Sequence, residues 1–364
     1  MINGMFVRAN ATRFELDGAR FGVNGANCYY ASHRSDAMVE AVFQVAGGLG
    51  ANVLRTWAFL DVAAPMAGAW FQAGPGHFNN GPNGLELLDR TIALAESRDI
   101  RLILPLVNHW DDFGGANQYC RWLGLSHREE FYANAKARAA YRAWVEHVLL
   151  RVNTRTNRQY RDEPAIMAWE LANEPRCEIP GGREVLLDWA GEMSRFIKSL
   201  DGNHLVAFGD EGFFTRAGAG SHHDYNGSHG VDVEASMGIP TLDFGGCHLY
   251  PDYEPSVPPA EFGSRWIREH IEAGNRASKP MLIEEYGVKD RSMRDRIFDE
   301  WWTTIEQNQG AGAMLWMLAS TGDDGELYPD YDGYTVYSAA EIPSVSGGKF
   351  SRRPASSPSS SAST

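Results

Sequence analysis

Two short stretches of this chain carry side chains able to do acid–base and nucleophilic chemistry. In the first, an apolar approach from Ala165 to Trp169 reads as a buried strand. It runs on through Glu170-Leu171-Ala172 and is ended by Pro175. That leaves an amide, Asn173, and a carboxyl, Glu174, at the strand's C-terminal tip. The second stretch, Lys279 to Gly287, repeats the design, with an apolar run ending in Glu284 and Glu285 ahead of Tyr286-Gly287. Two carboxyls on two strand ends are the minimum equipment for hydrolysing a glycosidic bond, one protonating the leaving oxygen and the other serving the anomeric carbon. Neighbours on a strand point to opposite faces, so only one of Glu284 and Glu285 is expected in a shared cleft. Glu285, directly before Tyr286-Gly287, is the choice. Glu284 is expected to partner a basic side chain, and Glu170 to lie buried between the strand and helix layers.

Eight short apolar runs are available to position these groups: 21–30, 51–59, 101–109, 165–175, 204–212, 241–251, 279–287 and 311–319. Segments of helical period lie between most of them, including 85–98, 135–152, 185–200, 262–273 and 293–307. Strands alternating with helices predict parallel pairing, and eight repeats predict an α/β fold of the (β/α)8 TIM-barrel type. A small N-terminal β-hairpin, Phe6 to Arg20 with a Gly turn, is expected to plug the barrel floor. The runs open aliphatic and close on chemistry: Arg55-Thr56-Trp57, Asn108-His109-Trp110, Asn173-Glu174, His248-Leu249-Tyr250, Glu285 and Trp316. That polarity is what a barrel with its cleft at the strand C-termini predicts. His248 and Tyr250, two apart, face one side and so serve one site.

The chain has 364 residues and a net charge of -14. Nucleic acid and anionic membrane surfaces are therefore excluded as partners, since both need a basic face, whereas a neutral polysaccharide is not. Residues 1–343 are expected to form one catalytic domain with long βα-loops, and 344–364, mostly Ser, Pro and Gly, a disordered tail or linker stump. Among the loops, 64–83 and 213–238 are candidate walls of a cleft. The second carries His222, His223, Asp224, His229 and Asp232, in a spacing that matches no metal-ligand pattern. Asp323-Asp324 and Asp330-Tyr331-Asp332 read as a solvated, turn-rich loop, and Trp301-Trp302 as helix-to-barrel packing. Cys28, Cys120, Cys177 and Cys247 are scattered and read as buried thiols. Neither a metal nor a cofactor is expected. The N-terminus lacks a signal-peptide pattern, and no apolar run approaches membrane-spanning length. A cytoplasmic enzyme and a secreted one whose leader is already removed both fit.

From Phe6 to Tyr337 the chain resembles glycoside hydrolase family 5, and within it the endo-β-1,4-mannanases. The resemblance is carried by Leu54-Arg55-Thr56-Trp57, Val107-Asn108-His109-Trp110, Trp169 to Arg176, Tyr225-Asn226-Gly227-Ser228, Phe244 to Asp252, Ile283 to Val288 and Leu315-Trp316. It implies a secreted enzyme acting on β-mannan polysaccharides or manno-oligosaccharides, with Glu174 as general acid/base and Glu285 as nucleophile of a retaining hydrolysis. Asn173 would hold the sugar's 2-hydroxyl, Arg55 and Tyr250 would support the nucleophile, and His248 would lie beside the acid/base. Trp316 would be the floor under the reacting sugar, with Trp57, Asn108 and Trp110 lining the cleft. His109 departs from the family pattern and receives no role, and Cys177, which relatives pair in a disulfide, has no partner nearby. The acid should have a raised pKa and the nucleophile should stay ionised beside Arg55. An exo-acting β-mannosidase would result if loop 64–83 or 213–238 blocked one end of the cleft; a non-catalytic carbohydrate-binding barrel is a third reading. Oligomeric state is left open.

Overall fold

The chain, described here by a computed structural model over Ile2 and residues 4–346, begins with three short antiparallel strands, β1 (Arg8–Asn10), β2 (Arg13–Leu16) and β3 (Ala19–Arg20). One hairpin was expected and two are formed. Asp17-Gly18 makes the anticipated Gly turn between β2 and β3, while Ala11, at φ 48°, reverses the chain a second time between β1 and β2. This small sheet plugs the barrel floor: Val7 and Phe14 are buried with Val53, Ile103, Leu282 and Met314, residues from the opening halves of the barrel strands.

The barrel strands are β4 (Val23–Asn27), β5 (Val53–Arg55), β6 (Arg101–Pro105), β7 (Ile166–Glu170), β8 (Leu205–Ala207), β9 (Gly245–Leu249), β10 (Met281–Tyr286) and β11 (Gly312–Leu315). Each lies inside one of the eight predicted runs, and they pair in the order β8-β7-β6-β5-β4-β11-β10-β9, all parallel. The seam between β8 and β9 is closed by single bonds rather than a ladder. The Asp243 amide donates to Val206 O (2.8 Å), the Val206 amide to the Asp243 carboxylate (2.6 Å), and the His248 amide to Glu211 O (3.1 Å).

Around this sheet lie α1 (Asp36–Gly48), α2 (Leu85–Ser97), α3 (Gly115–Leu123), α4 (Glu130–Ala133), α5 (Ala135–Leu150), α6 (Gly182–Leu200), α7 (Val233–Ser236), α8 (Pro259–Ala277) and α9 (Arg291–Gln307). Side-chain caps start several of them. Ser35 accepts from Met38 N, Asn134 from Lys136 N and Asp290 from Ser292 N, each satisfying an otherwise orphaned amide. The outward faces of the strands (Leu54, Leu102, Val206, Ile283, Leu315) pack on the helices. Trp302, as expected, seals helix to barrel by donating from Nε1 to Tyr286 Oη (3.1 Å). Among the described residues no helix is long and apolar enough to cross a membrane.

Packing continues slightly past the expected domain end. Ser344 bonds to Asp295 (2.7 Å) and Val345 is buried. The rest of the predicted tail, 347–364, lies outside the described residues. All four cysteines are buried and free.

Candidate active site

The polar floor of the barrel mouth is organised by one fully buried guanidinium. Arg55, ending β5, donates from Nε to Glu170 (2.8 Å), from Nη1 to Glu285 (2.7 Å) and Asn27 (3.1 Å), and from Nη2 to Asn173 (2.8 Å). Burial alone would lower its pKa, but the charges of Glu170 and Glu285 outweigh that and hold it charged. Removing one partner from such a buried pair typically costs about 3–5 kcal/mol, because the other is left uncompensated. Asn173 passes the network on, its amide donating to Asn108 Oδ1 (3.0 Å), while Asn108 donates to Asp112 O (3.0 Å).

Strand β10 departs from simple alternation. Its register against both neighbours shifts between Ile283 and Tyr286. This bulge lets Glu284 and Glu285 both turn inward, while Tyr286 packs outward on Phe298. Glu285 alone of the two lines the cleft, as expected, but the two side chains do not face opposite ways, since Glu284 also turns into the barrel. The placement of Glu170 between layers is corrected too, for it lies in the barrel interior against Arg55. Room for Glu284 comes from Gly246 on β9, where a Cβ would collide with the Glu284 carboxylate. Both Glu284 oxygens and Glu170 Oε1 lack any N–H donor. Burial and the Glu170 charge push Glu284 well above the carboxylate range, which favours its neutral form beside Glu170. A Gly inside a strand was the available signal for this arrangement.

Glu174 sits in the loop after β7 at φ 51°, unusual for a non-glycine residue and more so before a proline. Its amide donates to Gly209 O (2.8 Å), and the preceding Asn173 is held by Val107 O (2.8 Å) and by the His109 amide (3.0 Å). The carboxylate accepts from Trp110 Nε1 (2.5 Å) and meets His248 Nδ1 at 2.6 Å. His248 Nδ1 is also 3.5 Å from Glu285, and Glu285 accepts from Tyr250 Oη (2.6 Å). Glu174, His248 and Glu285 each place one ligating atom within 4.8 Å of the others; they are the one such group among the described residues, which leaves the His222–Asp232 loop outside it.

Charge in this trio is distributed differently from expectation. Burial raises Glu174, but the hydrogen bond and charge of His248, with Trp110 and Arg176, outweigh it and bring the carboxyl to about 2. Burial also dominates at Glu285, which ends above its ordinary value despite His248 and Arg55. His248 is raised, the two carboxylates outweighing its burial. These shifts favour the proton on the imidazole, one hydrogen bond from Glu174, over the Glu174 carboxyl. Sequence reasoning placed His248 beside the acid/base but weighed only the two carboxyls and Arg55 when it assigned the protons.

Every predicted site residue except His248 and Arg55 lines one cleft of about 820 Å³, and those two lie directly beneath it. Trp316 donates from Nε1 to Asp332 (2.8 Å), and its ring lies 6.2 Å from Trp57. His109, assigned no role, backs Trp110 edge-on at 5.0 Å and bonds Tyr132 and Arg128. Arg176 grips Glu211 with two bonds (2.7 and 2.6 Å) and covers Trp110 at 5.0 Å. Neither candidate wall loop, 64–83 or 213–238, contributes a lining residue. Phe78 of the first stacks instead on His147 of α5. The walls come partly from Tyr29 and Arg34 after β4 and from Tyr328, Tyr331 and Tyr334 after β11, a loop expected to be merely solvated. The spacing of three tyrosines at every third residue was its signal.

A family model described as "GH family 5 beta-mannosidase-like" matches residues 4–328. The mannan endo-1,4-beta-mannosidase F of Aspergillus fumigatus is 36% identical over 340 residues, 91% of this chain and 74% of that one. Among solved structures, the endo-1,4-beta-mannanase of Rhizomucor miehei superposes with TM-score 0.86 at 34% identity, covering 94% of this chain and 97% of its own. The endo-beta-1,4-mannanase of Thermotoga petrophila gives 0.82 at 39% identity, covering 90% and 76%.

Proposed function

Because the chain belongs to glycoside hydrolase family 5, we propose that it cleaves internal β-1,4-mannosidic bonds of mannan, glucomannan or galactomannan with retention of anomeric configuration. The observation that carries the reading is the pair Glu174 and Glu285, with carboxylate oxygens within 4.8 Å across the barrel mouth. Retaining enzymes hold their carboxyls about 5–5.5 Å apart, too close for an intervening water. The names of the relatives support mannan as substrate, and the absence of both long loops from the cleft lining supports internal cleavage.

In this reading Glu285 attacks the anomeric carbon as the leaving oxygen takes a proton from Glu174, giving a glycosyl ester on Glu285. Glu174, now a base, then draws a proton from water, which attacks the same carbon and breaks the ester. Arg55 and Tyr250 fix the nucleophile's two oxygens. His248 supplies Glu174 with its proton: sugar binding expels water, the buried ion pair loses stability, and the proton shifts across their hydrogen bond. Asn173 takes the 2-hydroxyl, Trp316 underlies the reacting ring, and Trp57, Asn108 and Trp110 line its surroundings.

Glu285→Ala is expected to abolish turnover on manno-oligosaccharides, and azide to restore it with a product of inverted configuration, read by proton NMR of the anomeric centre. Substantial residual activity without rescue would reject Glu285 as nucleophile.

A further inference from the structure

We propose that Tyr331, backed by Tyr328 and Arg34, forms a distal subsite that binds a mannosyl unit on the non-leaving side of the chain, remote from the bond being cut. This rests on the functional reading above.

The barrel's own order fixes the direction. β7, which leads to Glu174, and β11, which leads to the tyrosine loop, stand four places apart in the eight-strand ring, on opposite sides of the mouth. Glu174 protonates the leaving oxygen, so the departing portion lies on the β7 side. The retained portion must then run over Trp316 towards the loops after β11 and β4. Tyr331 waits there at 75% exposure, the most exposed large apolar side chain among the described residues.

A single exposed aromatic is ordinary on a protein surface. This one is held in place on a cleft wall. Asp330 accepts from Gly333 N (2.9 Å), Thr335 Oγ1 (2.8 Å) and Arg291 (2.8 Å). Asp332 accepts from Tyr334 N (3.0 Å) and from Trp316 itself (2.8 Å), so the loop is tied to the floor of the cleft. Tyr331 stands edge-on to Tyr328 at 5.9 Å, and Tyr328 packs on Tyr30 at 4.2 Å and bonds Tyr29 Oη (2.9 Å). The Arg34 guanidinium lies 5.9 Å over the Tyr328 ring and makes no ion pair among the described residues, leaving its donors for hydroxyls. A flat apolar face and free donors, both ordered before the sugar arrives, suit a pyranose at low entropic cost.

The test compares kcat/KM for mannotriose and mannohexaose in the wild-type protein, Tyr331→Ala and Tyr331→Trp. The hexaose-to-triose ratio should fall about tenfold in Tyr331→Ala, equivalent to about 1.4 kcal/mol. The loss should lie mainly in KM, as for binding shared by ground and transition states, and Tyr331→Trp should restore the ratio. An unchanged ratio in an active Tyr331→Ala variant, or an equal loss on both substrates, overturns the subsite alone. Wild-type protein inert towards both sugars overturns the functional reading and the subsite with it.

Discussion

At the scale of single residues, the distinctive feature is a proton kept where the sequence suggested an ordinary ion pair. Glu284 was expected to be the carboxylate opposite a basic group. It is instead the neutral member of a carboxyl pair whose other member, Glu170, carries the contact to Arg55. In the folded protein its pKa is raised well above the ordinary 4.5 of a glutamate, so folding above that pH requires it to take up a proton. Stability therefore declines as pH rises from about 4.5 through the folded value. Glu284→Gln keeps a donor for Glu170 and removes this proton uptake. It should melt higher than wild type at pH 8, with the difference vanishing below pH 4. A variant less stable than wild type at pH 8 would mean that Glu284 is ionised and paired. Sequence spacing identified both Glu174 and Glu285, because each ends an apolar run. It could not identify which carboxyls hold protons, since that depends on neighbours brought in from other strands: His248 for Glu174, Glu170 for Glu284.

Among the elements, the eight barrel strands were legible because each is an apolar run buried on both faces and bounded by turn residues. The long helices were legible from their period. The facing of the side chains on β10 was not, because alternation is a rule for regular strands and a bulge suspends it. The tyrosine loop after β11 was misjudged for a related reason. Asp, Gly and Pro mark a turn, but only the tertiary contacts of Asp330 and Asp332 say that it folds back over the cleft. The bulge makes a strong demand on its neighbour, since Gly246 leaves the volume that Glu284 fills. Gly246→Ala should destabilise the protein by about 1–3 kcal/mol through overpacking. In a Glu284→Ala background the same change should cost far less, since the clashing carboxylate is gone. Denaturant midpoints of the two single variants and the double give the coupling. Strict additivity would contradict the inward placement of Glu284.

For the whole molecule, the barrel separates tasks along its axis. A three-stranded plug and aliphatic layer close the floor, an Arg55-centred polar layer sits above them, and Glu174, His248 and Glu285 occupy the mouth. Lateral order is set by the same ring, with the acid on one side and the tyrosine loop on the other. The cleft thus has room for sugars on both sides of the scissile bond. Neither of the two loops that could have walled off an end lines the cleft, which is the arrangement internal cleavage needs. The most direct measurement is the time course of products from β-1,4-mannohexaose, resolved by chain length. Mannobiose, mannotriose and mannotetraose should appear together from the first turnovers, with little mannose. Mannose accumulating from the outset beside mannopentaose would contradict this account and mean that the enzyme trims chains from one end.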